Sequence, residues 1–426
     1  MVKIFLLTAL ALFFASCGLL GEQSVKPSQK AFADEDTYIL FALRAEQVRN
    51  NKLASELFEV LYNKSHKKEY LYRTLENELV AKEYKHVLQR IDSLEGEELQ
   101  DPKLMRYKVV ALFELSELDR AIELSVALAA KTKEPTDYLL TSDIYIKRGE
   151  FDLAVRYLES AYAKEHNEEI LDKMSIILYV NMNKKREAIA HLETHSRMLG
   201  CSERVCLRLI AFYSNDNNIE GLLSTYKRLY EFKKSDEVAK KIIQIYAYTR
   251  EYLKLMEFLE TSGVDDEALL ELYVSTKKYK KAYLLAQKLY EESSDIKYLG
   301  QSAIYEYESF QKRDDKELLK RVVSKLERVA QETKDPMYLN YLGYILIDHD
   351  IDVPKGIAYI KEVLKVQPDS AYFLDSLAWG YYKLGKCVKA KEILKKVITL
   401  EGGTEQEVLQ HLEYVNRCLK KRKGKK

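Results

Sequence analysis

From Thr37 to about Thr399, apolar residues recur at three- and four-residue spacing, and short polar breaks interrupt them every dozen residues or so. That spacing is the period of one helix face. No stretch alternates with period two for long enough to make a strand, so the chain reads as all-α. A longer period lies over the helical one. The order bulky, small, apolar, apolar-or-small occurs as Phe151, Ala154, Leu158 and Ala161, and again as Tyr279, Ala282, Ala286 and Leu289. Its small position can be followed through Ala54, Val87, Ala121, Ala154, Ala188, Leu222, Leu255, Ala282, Val322, Gly356 and Ala390. Successive subtraction gives steps of 33, 34, 33, 34, 34, 33, 27, 40, 34 and 34 residues. The steps of 27 and 40 sum to two ordinary periods, so one boundary near Glu292–Asp314 is expected to have slid.

A period of about 34 residues with two helices per unit points to a helical-repeat array. The last unit reads Leu374, Leu377, Ala378, Tyr381, Gly385, Cys387, Ala390, Leu394 and Val397. The unit before it supplies Gly343, Gly356, Ile360, Val363 and Pro368; the fourth supplies Tyr138, Ser142, Tyr145, Gly149, Phe151, Ala154, Leu158 and Ala161. This order resembles the tetratricopeptide repeat (TPR). The resemblance implies an α-solenoid, a right-handed superhelix of about eleven TPR-like helix pairs over residues 37–400. Units anchored at Val87, Leu222 and Leu255 lack the small residue. Small residues matter because two helices approach to about 8–10 Å only where a ridge can enter a groove. One pair cannot bury both apolar faces, so neighbours must stack. Pro102, Pro135, Pro336 and Pro368 fall at unit junctions and Pro354 in a turn within a unit, where proline is tolerated.

The ends differ from the array. Lys3, the apolar run Ile4–Phe14 and Ala15-Ser16-Cys17 have the proportions of a secretory signal over residues 1–16, too short to span a bilayer. Small residues before a cysteine resemble the bacterial lipobox, which implies acylation of Cys17 as the mature N-terminus; a plain signal peptide with an incidental cysteine is the alternative. Residues 17–36, with Pro27 and no sustained period, read as a lipidated cysteine and flexible tether. Gly18 after the cysteine is not the retention aspartate of many Gram-negative lipoproteins, which implies the outer membrane, facing the periplasm. At the other end Thr404 and Glu407 have capping-box spacing before a helix over 404–419, with Val408, Leu412, Val415 and Leu419 on one face. It is expected to close the array. Residues 420–426 read as a basic, disordered tail, either a solvated end or a contact for anionic lipid headgroups.

Composition narrows the function. Lys+Arg number 68 and Asp+Glu 67, so no global field points to nucleic acid. No phosphate-cradling glycine loop and no Gly-x-Ser-x-Gly elbow occurs. His191 and His195 share a helix face, but Glu193 stands where a metalloprotease would not have it, so they read as packed or surface histidines and no metal is expected. No catalytic constellation emerges, so no enzyme activity and no cofactor is expected.

An oxidising compartment raises the question of disulfides. Cys201 lies in a turn and Cys206 in the first turn of the next helix. Cys387 starts one helix and Cys418 ends the closing one, and antiparallel neighbours bring such ends together. Both pairs are therefore disulfide candidates. In tetratricopeptide families the first helices line a concave groove that takes a peptide or a partner's helix. Those offsets carry over here to Met337, Asn340, Tyr344 and Ile347, then Tyr372, Asp375, Trp379 and Tyr382. The resemblance thus implies a protein or peptide partner in the groove and a membrane contact only through the lipid anchor. The expectation is an envelope scaffold for outer-membrane assembly, secretion, pilus biogenesis or polysaccharide export; a glycan-chain binding lipoprotein is the alternative.

Overall fold

The computed structural model describes residues 30–96 and 100–423. Among them are twenty-three helices and no strand. The chain divides into two compact units, meeting in sequence at Lys233 and Lys234. The first holds six helix pairs. They are α1 (Glu35–Gln47) with α2 (Asn51–Ser65), α3 (Lys68–Val80) with α4 (Tyr84–Asp92), and α5 (Pro102–Glu114) with α6 (Leu118–Thr132). There follow α7 (Pro135–Arg148) with α8 (Phe151–Glu165), α9 (Glu168–Ile176) with α10 (Lys185–Leu199), and α11 (Glu203–Asn215) with α12 (Ile219–Phe232). The second unit holds α13 (Asp236–Tyr248) with α14 (Tyr252–Ser262), α15 (Asp266–Ser275) with α16 (Tyr279–Ser293), and α17 (Ile296–Ser309) with α18 (Lys316–Thr333). It ends with α19 (Pro336–Asp348) and α20 (Val353–Val366), α21 (Ala371–Lys383) and α22 (Cys387–Val397), and a closing helix α23 (Gln406–Lys423). Eleven pairs and a closing helix are what the repeat spacing predicts.

The turn inside a pair is built the same way almost throughout. An amide just past the first helix returns to the carbonyl five residues earlier, as in Asn50 to Ala45 and Lys386 to Tyr381, both 2.8 Å. The residue between is left-handed: Arg49 at φ 60°, Gly149 at 83°, Gly385 at 72°. This Schellman-type closure satisfies carbonyls that a helix end would otherwise orphan. Only some of these positions are glycine, which is why the repeat shows as a spacing more clearly than as a motif. In the fifth pair α9 ends in a π-turn, Ile177–Asn181, and the closing bond runs from Lys184 to Leu178 at 2.7 Å. Prolines start helices: Pro102, Pro135 and Pro336 are first residues of α5, α7 and α19, where the missing amide has no partner to lose.

The small positions are buried where the spacing puts them, with one exception. Leu222 is only half-buried. Its neighbour Gly221 makes the close contact instead, since a Cβ there would lie 2.5 Å from the Tyr213 ring. The small residue of that pair is displaced by one position and not lost. The irregular steps also have two causes, not one sliding boundary. The short step comes from α14 and α15, which have 11 and 10 residues against 15 and 13 in α2 and α3. The long one comes from the loop at 310–315 and from α18, which at 18 residues gains a turn at its start.

Three boundaries move relative to the sequence reading. Residues 31–36 belong to the folded body: Phe32 packs on Tyr38, and the buried Glu35 carboxylate accepts from Ala31 N, Lys67 and Tyr70 at 2.6 Å each. The closing helix begins at Gln406 with Glu405 accepting from Leu409 N at 3.1 Å, so Thr404 stands outside the cap position. It also continues through residues 420–423. The leader, Cys17, the tether up to residue 29 and residues 424–426 lie outside the described residues. No helix among the described residues is long and apolar enough to cross a membrane.

Candidate functional site

A cleft of about 870 Å³ opens in the second unit. Its walls come from the ends of α17 and α19, the start of α21 and the segment that leads into α23. Three of these are first helices of successive pairs, so the repeat itself aligns the lining. Along α19 the lining residues are Tyr341, Tyr344 and Asp348, at helical spacing; along α21 they are Tyr372, Asp375 and Ser376.

Most polar groups of the lining are tied to one another. The Tyr341 hydroxyl donates to Glu308, which also receives Arg313 at 2.6 Å. The Tyr344 hydroxyl donates to Glu407 of α23. Tyr307 lies 2.8 Å from His349 Nε2. Burial, then the neighbouring carboxylates, pushes the Tyr341 and Tyr344 phenols far up, and burial pushes Tyr307 up to about 12. These hydroxyls are therefore neutral at any physiological pH. Burial lowers His349, which favours its neutral ring.

Beneath the cleft lies a stacked cluster. Trp379 donates its indole N–H to Asp348 at 2.8 Å and stacks on His411 at 4.1 Å and on Tyr382 at 4.7 Å. His411 Nδ1 lies 2.9 Å from Asp375 Oδ2. The other Asp375 oxygen is buried and has no hydrogen-bond partner. Neither polar atom of the buried Asn340 amide makes a hydrogen bond of ordinary geometry, although the Tyr372 phenol is beside it.

Of the eight groove residues expected from sequence, Tyr344, Tyr372 and Asp375 line the cleft. Met337 and Tyr372 are open to solvent, at 47% and 54% exposure. The other positions need correcting. Ile347 is fully buried, because Gly356 and Gly380 pack directly against it; a Cβ on Gly356 would sit 2.7 Å from its Cγ1. The cleft-facing stripe of α19 ends one residue later, at Asp348, about 100° around the helix. Trp379 is 8% exposed, since α23 lays His411 over its ring. Tyr382 is half-buried in the same stack, and Asn340 is fully buried. Sequence reasoning missed Tyr307, Glu308, Arg313, Tyr341, Glu401, Glu405 and Glu407. Tyr341 and Glu308 stand one residue beyond an expected offset, Tyr307 stands at the offset of Ile347 in a unit to which the offsets were not carried, and Glu407 belongs to the closing helix; the loop residues carry no periodic signal.

The described cysteines are paired as Cys201 with Cys206 and Cys387 with Cys418, Cα atoms 5.4 and 6.3 Å apart. The second pair fastens α23 to α22. His191 and His195 do not converge. His195 is buried against Tyr162, 2.7 Å away, while His191 meets Glu159 and Glu187 at the surface with ligand atoms within 4.8 Å of one another. Exposed groups of that kind are common without a metal.

No family model matches the chain. It is 33% identical over 84 residues to a TPR repeat-containing protein of Pseudomonas aeruginosa, a match that covers 20% of this chain and 14% of that protein. It is 25% identical over 312 residues to a TPR repeat-containing protein of Methanocaldococcus jannaschii, covering 70% of this chain and 50% of the relative. The chain therefore spans half or less of the length of these curated relatives. Among solved structures, the APC/C hetero-tetramer Cut9–Hcn1 aligns with 92% of this chain and 85% of its own at 12% identity, with a TM-score of 0.34.

Proposed function

We propose that this chain, an all-helical solenoid of tetratricopeptide-like pairs, is an envelope-anchored scaffold that holds a protein partner in the cleft of its second unit. The observation that carries the reading is the cleft: about 870 Å³, walled by three successive first helices, with an exposed Tyr372 at its rim. Aromatic rings beside a few fixed polar groups are the usual make-up of a protein-binding hot spot. The neutral phenols supply hydrogen bonds without a charge to desolvate.

The anchor rests on sequence. Lys3, the run Ile4–Phe14 and Ala15-Ser16-Cys17 supply a leader that ends at an acylated cysteine, and Gly18 favours the outer membrane. Several acyl chains at about 0.8 kcal/mol per buried CH₂ hold a tethered body stably. Outer-membrane assembly, secretion, pilus biogenesis or polysaccharide export is the process such an anchored scaffold would serve. The glycan-binding reading keeps one observation in its favour, the tyrosines of the lining.

Two measurements test the proposal. Cys17→Ser should release the body from the membrane fraction and abolish labelling by a clickable fatty acid. Affinity capture after in-cell crosslinking should recover a discrete envelope protein that Tyr372→Ala loses. Membrane association that ignores Cys17, or recovery of carbohydrate in place of protein, would sink the corresponding half.

A further inference from the structure

We infer that the segment seated in the cleft is basic, and that one of its lysine or arginine side chains is received by Asp375. This rests on the scaffold reading and adds the partner's chemistry to it. Seven carboxylates line the cleft against a single guanidinium, that of Arg313. Several are already engaged. Glu308 holds Arg313, Asp369 takes Lys396 at 2.6 Å, Asp348 takes the Trp379 indole and Glu407 the Tyr344 hydroxyl. The Glu401 and Glu405 residues stand exposed at the mouth, and their carboxylates have no partner among the described residues.

Asp375 supplies the independent observation. Its side chain is 9% exposed, His411 takes one oxygen, and the other is buried without a hydrogen bond. A buried carboxylate oxygen left without a donor is costly, and the remedy within reach of the cleft is a donor brought by a ligand. A lysine ammonium or an arginine guanidinium carries such donors and the opposite charge. The exposed Tyr372 ring offers a face for the alkyl stem or the guanidinium plane. The volume exceeds one side chain, so a segment with several residues in contact fits better than a free amine. A neutral glycan draws nothing from the net negative lining, and a nucleic acid would be repelled by it.

The chain's own basic end is the nearest rival. In the same molecule its described part leads away: Lys420 lies twelve residues beyond Val408, about 18 Å along α23 from the cleft wall. The end of a second copy is left for the test to judge.

The test uses the full chain in detergent with four fluorescent or labelled probes: a Lys/Arg-rich peptide, an acidic and a neutral peptide of equal length, and a chitin oligosaccharide. The expected result is binding of the basic peptide alone. Its affinity should fall at least about tenfold between about 0.05 and 0.5 M salt. It should fall about tenfold in Asp375→Asn and severalfold in a Glu401→Gln, Glu405→Gln double variant. Neither glutamate touches the core, so an unchanged melting curve keeps that variant interpretable if Asp375→Asn disturbs His411. Equal binding of the neutral or acidic peptide would overturn the basic-segment inference and leave the scaffold reading standing. Binding of the oligosaccharide alone would overturn both. Basic-peptide affinity that ignores every cleft variant would place the contact elsewhere and refute the role of Asp375. Stronger peptide binding and loss of self-association on deleting residues 420–426 would show a second copy's end as the occupant and refute the partner assignment.

Discussion

The two units solve the same packing problem with different chemistry. In the first, ion pairs one repeat apart tie neighbouring first helices together. Arg106 of α5 makes two bonds to Asp137 of α7, at 2.6 and 2.8 Å, and Arg208 of α11 makes two to Asp172 of α9, at 2.5 and 3.0 Å. Arg90 bridges Glu59 and Glu78 at 2.6 and 2.7 Å. In the second unit α19 and α20 approach backbone to backbone: a Cβ on Gly356 would lie 2.6 Å from the Gly343 carbonyl. An ion pair of the same kind, Lys297 with Glu267 at 3.1 Å, occurs there too, but seven carboxylates and four tyrosines line the cleft. Regular charge pairing across first helices makes a spacer; unsatisfied charge on the same faces makes a site. The single tryptophan separates the two experimentally, because Trp379 reports only the second unit while circular dichroism reports both.

The largest expected effect falls on the disulfides. Cys387–Cys418 closes a separation of 31 residues and Cys201–Cys206 one of 5. Loop-closure entropy assigns the first about 4 kcal/mol and the second about 2 kcal/mol. Cys387→Ser should therefore shift the urea transition seen by Trp379 fluorescence more than Cys201→Ser shifts the one seen by circular dichroism. Equal shifts would mean that α23 is held by packing alone.

Next comes the ladder of the first unit. Arg106→Ala leaves the fully covered Asp137 carboxylate without its cation, at a cost of about 3 kcal/mol. The loss should appear in circular dichroism and leave the tryptophan transition in place. Gly356→Ala is the mirror experiment. Forcing a methyl against the Gly343 carbonyl should cost about 2 kcal/mol, read by Trp379. If Arg106→Ala also moves the Trp379 transition, the units do not unfold independently.

The smallest effect is local and depends on pH. Bonds from Lys67, then Tyr70 and the Ala31 amide, hold the Glu35 carboxyl at about 2 in place of 4.5. A carboxyl lowered in the folded state contributes stability that is complete above its unfolded value and is lost as pH falls through its folded one. Hydrogen exchange in α1 should therefore speed up as pH drops from 4.5 towards 2, after correction for the intrinsic rate. Glu35→Gln should speed it at neutral pH and remove most of that pH dependence.

The array was legible from sequence because its signal is a spacing. A left-handed turn and a small residue recur at fixed intervals whether the residue is Arg49 or Gly149, and the period survives the change of residue type. Where the small residue moved to Gly221, the pattern looked broken only because it was read at one fixed offset. The site was less legible. A shift of one residue along α19 exchanges Ile347 for Asp348 and turns a core side chain into a cleft wall. Trp379 was misplaced because the closing helix lies over first-helix side chains, a tertiary contact that no local period encodes. Glu401 and Glu405 come from a loop, where neither period nor propensity marks a wall.

The most direct test of the division between spacer and docking unit places a photo-crosslinking residue at two equivalent positions in living cells. These are Tyr372, the second residue of α21, and Thr136, the second residue of α7. The account predicts that Tyr372 captures one discrete protein and that Thr136 does not capture it. Capture of the same protein equally from both sites would contradict the assignment of binding to the cleft.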